Sequence, residues 1–159
     1  MRLQLQECLG SSTPLATKAS IALKEGKLEE ASRLLSECLQ CDDETRRDPR
    51  FFHVFWSLGK LELARFEEDS ALSTKTKAIL SFEKAVLEYA KEARESHYLE
   101  VAGQLLASPL SDREMRAAVV VQHGLKNCPE SARLRALNGD LEMPNTRAQR
   151  PAFPRRYLA

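Results

Sequence analysis

The chain has 159 residues and carries 24 lysines and arginines against 23 aspartates and glutamates, a formal net charge of +1. That length buries a core without disulfides or metal, and the even charge balance gives no overall field for nucleic acid or an acidic membrane surface. With six glycines, seven prolines and little alternation of β-branched residues against abundant Ala, Leu, Glu, Lys and Arg, the composition predicts an all-α chain.

The first residues, "MRLQLQECLGSS", lack the apolar core of a signal peptide, and no later run approaches the roughly 18 apolar residues of a membrane span. The expectation is one soluble intracellular domain, cytoplasmic or nuclear, with no membrane contact. Its cysteines, Cys8, Cys38, Cys41 and Cys128, are then expected to be reduced.

In chain order, Thr13-Pro14 reads as an N-cap and first helical residue, opening an apolar stripe of Leu15, Ala19, Ala22 and Leu23 that stops near Gly26. A second helix, Leu28 to Gln40, places Ala31, Leu34, Leu35, Cys38 and Leu39 at helical spacing. Asp48-Pro49 repeats the start signal and launches a long third helix through "RFFHVFWSLGKLELARF". The fourth runs from Thr74 to Arg94, with Ile79, Phe82, Ala85, Val86 and Tyr89 on one face. The fifth carries Tyr98, Val101, Ala102, Leu105 and Leu106 before Pro109, and "LSDRE" predicts a capping box of Ser111 and Glu114 at the start of the sixth. The sixth runs to Asn127, and a seventh begins near Ser131.

The second, fourth and sixth helices repeat one another. Ala31, Leu35 and Cys38 align with Ala78, Phe82 and Ala85, and these with Ala117, Val121 and Gly124, a small-large-small pattern at spacings of four and then three. Glycines recur as well, at Gly59, Gly103, Gly124 and Gly139, and each is expected where helix backbones approach closely.

These residues resemble the tetratricopeptide repeat, whose pattern is W-x2-L-G-x2-Y in one helix, then A-x3-F and a closing proline in the next. Ala117, Val121, Gly124 and Pro129 fit that spacing, with Gly139 in the helix that follows, while Phe55, Leu58, Gly59 and Leu99, Ala102, Gly103, Leu106 match the first-helix half. The resemblance implies a short α-solenoid of antiparallel helix pairs over residues 12–142, about three repeats plus a terminal helix that either caps the array or continues it. An extension, 1–11, and a Pro/Arg-rich tail, 143–159, expected to be disordered, flank it. Departures from the pattern are Lys18 at a leucine position, Asp43 and Ala90 at the proline, and Glu62 at an aromatic. "DETRRDP", "FEEDSALSTKT" and "SPLSD" read as insertions that lengthen junctions and turns.

Helical spacing puts Phe52, Phe55 and Gly59 on one face of the third helix and His53, Trp56, Lys60 and Leu63 on another. In the family the latter face lines a concave groove, and the matching positions of the fifth helix are His97, Glu100 and Gln104. The resemblance therefore implies a non-enzymatic scaffold binding a peptide or helix of a protein partner at these seven residues, within a larger complex. The groove lacks the lysine and asparagine set by which some family members hold a C-terminal carboxylate.

Other chemistry is sparse. Cys38-x2-Cys41 is half of a zinc pattern without a second half nearby, and Cys38 also fills the small buried position of the repeat. His53, His97 and His123 have no nucleophile in a recognisable setting, and no glycine-rich loop suits a phosphate. No cofactor, metal or small-molecule substrate is expected. Two other readings remain open at this stage. One is RNA association through Arg147, Arg150, Arg155 and Arg156 of the tail together with Arg46, Arg47 and Arg50; the other is a structural part in a mitotic or cytoskeletal assembly, from a faint likeness of "FWSLGKLELARF" and "SFEKAV" to spindle-associated helical modules.

Overall fold

The computed structural model describes residues 15–41 and 43–142; the extension and the tail expected from the sequence lie outside the described residues. These form helices with no strand among them: α1 Leu15–Lys24, α2 Leu28–Leu39, α3 Asp43–Arg46, α4 Phe51–Asp69, α5 Leu72–Glu88, α6 Glu95–Leu106, α7 Arg113–Asn127 and α8 Ala132–Glu142. They divide into two compact units between Glu92 and Ala93.

In the first unit α1 and α2 form a hairpin because Gly26 adopts a left-handed φ of 75° that a residue with a Cβ rarely takes. The Lys27 N–H then reaches back to the Ala22 carbonyl at 2.9 Å, closing α1 with the wide turn typical of glycine-terminated helices. Both helices pack on α4, which pairs in turn with α5 across Ser70-Ala71. The two helices approach so closely at Gly59 that a Cβ there would lie 2.6 Å from Phe82 Cε1. The absence of a side chain at Gly59 is what admits the Phe82 ring.

In the second unit α6 pairs with α7, and α8 packs on α7. Gly124 is the contact point: an added Cβ would stand 2.9 Å from Tyr98 Cγ and 3.0 Å from Leu134 Cδ1. The Tyr98 ring is held there by Asn127, whose Nδ2 donates to the Tyr98 hydroxyl at 3.3 Å and to the Ala93 carbonyl at 3.0 Å. Ser131 starts α8 by accepting the Leu134 N–H at 3.1 Å and donates its hydroxyl proton to Glu95 at 2.9 Å. With Leu134, Leu137 and Leu141 buried and Arg133, Arg135, Ala136 and Gly139 exposed, α8 lies back on α7 and turns a mostly polar face outward.

All nine aligned small-large-small residues are buried, from Ala31, Leu35 and Cys38 to Ala117, Val121 and Gly124. Other expectations need correction. The fourth helix of the sequence reading, Thr74 to Arg94, is displaced to Leu72–Glu88. Its start moves forward because Asp69 accepts the Ala71 N–H at 2.8 Å and the Thr74 hydroxyl at 3.1 Å. It stops early because Tyr89 turns inward, stacks on Phe51 and Phe55 at ring distances of 6.5 and 5.4 Å, and donates its hydroxyl to the Arg46 carbonyl at 2.7 Å. "FEEDSALSTKT" is consequently not a long turn: most of it is helix, with only Ser70 and Ala71 between α4 and α5. "DETRRDP" winds into α3, tethered by the Arg46 guanidinium to the Leu39 carbonyl at 2.6 Å.

The capping box of Ser111 and Glu114 does not form. Asp112 holds the N-cap position of α7 without a side-chain cap, and its carboxylate pairs instead with Arg116 one turn along at 2.8 Å. Gly139 is a further correction, since nothing lies within 4 Å of where its Cβ would be.

Candidate functional site

The sequence-derived binding face of α4 is split by the packing. Trp56, at 9% exposure, is turned into the core, edge-on to Phe82 with ring centroids 4.6 Å apart and stacked on Phe52 at 5.5 Å. Its indole fills the space between α4 and α5 and is not offered to a partner. His53 and Lys60, two turns apart, stay exposed, and Leu63 is half-buried beside them.

Charges gather around His53. Its Nε2 lies 3.6 Å from the Glu92 carboxylate, while Arg50 forks onto Asp48 with guanidinium bonds of 3.0 and 2.8 Å. The Arg50 backbone N–H adds a third bond to the same carboxylate at 2.9 Å. Hydrogen bonding from Arg50 holds the Asp48 carboxyl below the ordinary carboxylate range, and Asp48 holds the Arg50 guanidinium above its own. The sequence picks out Arg50 only as a possible RNA contact, and Glu92 not at all. Glu92 lies 39 positions from His53 in the chain, so no local spacing signals the pair.

On α6 the three expected residues have three environments. His97 is spent locally: its Nδ1 accepts the Arg94 N–H at 3.0 Å, which ties off the first turn of the helix and puts the ring proton of the neutral imidazole on Nε2. Glu100 is exposed. Gln104 is half-buried, with its Oε1 shielded from solvent and without a hydrogen-bond partner among the described residues.

Cys8 lies outside the described residues, and the three described cysteines are buried or half-buried. Cys38 is fully buried with Ala31 and Leu35, Cys41 is half-buried after the end of α2, and burial pushes the half-buried Cys128 thiol above its ordinary pKa. A thiol raised in this way is a poor nucleophile and a poor metal ligand at neutral pH. Among the described residues no cluster of three or more His, Cys, Asp or Glu side chains is placed to hold a metal ion. No helix among them is long and apolar enough to cross a membrane. The pieces available for function are thus helix faces carrying mixed charge, with a polar amide at one of them and a half-buried leucine at the other. Comparison with protein-family models, curated proteins and solved structures gives no match to this chain.

Proposed function

We propose that this chain is a non-enzymatic protein-interaction module, a short α-solenoid of tetratricopeptide-like helix pairs that binds a peptide or helix of a protein partner within a larger complex. The observation that carries the reading is a shared position after a helix glycine. Lys60 follows Gly59 on α4 and is exposed, and Gln104 follows Gly103 on α6 and is half-buried, with an Oε1 that has no hydrogen-bond partner among the described residues. His53 and Glu100 extend the two faces toward the helix starts. A partner that reads such faces would use complementary charge and hydrogen bonding, with Leu63 as the apolar anchor in place of the buried Trp56.

The test is an affinity pulldown with the full chain and the variants Lys60→Glu and Glu100→Lys. Both residues are exposed, so the melting temperature should stay within a degree or two of wild type while one or more specific partners weaken about tenfold. If both variants keep every partner at wild-type strength, neither face is a binding surface.

A further inference from the structure

The α1–α2 hairpin of the first unit carries an open groove of about 420 Å³. Its floor is the buried pair Ala22 and Leu34, so the apolar surface left open comes from its rim, where Leu15 is half-buried and Ile21 is 48% exposed. A single exposed apolar side chain is ordinary; one that lines a concavity offers an anchor.

The rest of the lining is charged, and the charges are sorted along the groove. Glu25, Lys27 and Glu30 flank the turn of the hairpin and form a net negative end, while Lys18, Arg33 and Glu37 lie farther from the turn and form a net positive one. Glu25 holds Lys27 at 2.7 Å and Glu37 holds Arg33 at 2.6 Å. Lys18 and Glu30 are left with no salt bridge among the described residues. From Leu15 toward the turn, an occupant thus meets a cation, then Ile21, then an anion.

The chain itself holds a segment with the opposite order. Read backward from Leu15, it offers Leu9, the acid Glu7, the apolar Leu5 and Leu3, and the base Arg2. Gly10 to Pro14 connect this segment to α1. Residues 2–9 reach up to about 26 Å, more than the roughly 15 Å length of α1, so the segment is long enough to pass the whole groove. Laid along it toward the turn, the segment sets Glu7 beside Lys18, Leu5 and Leu3 beside Ile21, and Arg2 beside Glu30. The other lining charges, Glu25 with Lys27 and Arg33 with Glu37, already neutralise each other.

We propose that residues 2–9 of this chain dock in the α1–α2 groove and cover Ile21. Attachment decides between this occupant and a separate molecule. A groove of this size supports only a weak contact, but a segment joined at Leu15 is presented at an effective concentration on the order of millimolar, so a free molecule at micromolar concentration would need about a thousandfold tighter affinity for equal occupancy. The proposal does not rest on the partner faces of α4 and α6.

Nuclear magnetic resonance of the full chain, with isotope-labelled isoleucine and leucine methyl groups, tests it. Wild type should give Overhauser cross-peaks between the methyls of Ile21 and those of Leu3 or Leu5. In a mixture of labelled and unlabelled chains, filtered for contacts between molecules, these cross-peaks should be absent. Glu7→Lys and Lys18→Glu should each reduce them at least about threefold, and the double charge swap should return them to within about twofold of wild type. Lys18 is exposed, so the amide spectrum of α4 and α5 should stay unchanged in every variant. Absence of the wild-type cross-peaks, cross-peaks that arise between separate chains and so put a second copy in the groove, indifference to the single swaps, or a double swap that fails to restore them overturns the proposal.

Discussion

Gly124 and Gly139 look alike in the sequence, each a glycine inside a helix, and the structure gives them opposite meanings. At Gly124 a methyl group would press on Tyr98 Cγ at 2.9 Å and on Leu134 Cδ1 at 3.0 Å, and the Tyr98 hydroxyl is held by Asn127. Gly124→Ala therefore gains helix propensity but forces Tyr98 out of place, a net loss of about 1 to 3 kcal/mol. Gly139→Ala meets open space and should gain up to about 1 kcal/mol, since only the propensity change remains. Urea denaturation of the two variants beside wild type checks both signs. Equal effects would mean that the close approach of α6, α7 and α8 at Gly124 is misplaced.

At the scale of the element, the clearest local strain is the end of α4. Ser70 takes a left-handed conformation, φ 55° and ψ 20°, to let α5 start after a single further residue. A non-glycine residue there costs on the order of 1 kcal/mol, so Ser70→Gly should raise the melting temperature by several degrees. A lower melting temperature would show that the Ser70 side chain contributes more than its backbone costs.

The same scale shows what the sequence makes legible. The core positions of α2, α5 and α7 could be read because each helix is covered along one stripe, and spacing alone then separates inside from outside. Trp56 could not be read in this way. α4 packs against α1 and α2 as well as α5, so Phe51, Phe52, Val54, Phe55, Trp56 and Ser57 are all buried and the stripe widens to nearly the whole circumference. Some helix ends were equally opaque, although the start at Leu28 and the stop at Asn127 fall where the sequence puts them. The stop at Glu88 depends on Tyr89 reaching the Arg46 carbonyl, 43 positions earlier, and a contact that distant leaves no trace in local pattern. The half-capped start of α6 was hidden for a different reason, because histidine at the third helical position is seldom read as a cap.

Across the whole molecule, the two compact units are also optically unequal. The chain has one tryptophan, and it stands in the first unit against Phe82 and Phe52, with only 9% of its surface exposed. Light absorbed only by indole therefore reports on Met1–Glu92 alone, while far-ultraviolet dichroism sums the helices of both units. Native emission should be blue-shifted, and it should move to the red when the α4–α5 contact opens. Removing the indole as Trp56→Ala would cost about 3 to 5 kcal/mol as a core truncation, so Trp56→Phe is the gentler way to silence the signal. A denaturation followed at both wavelengths then reads whether Met1–Glu92 melts in step with the rest of the chain, with no label attached and no residue changed.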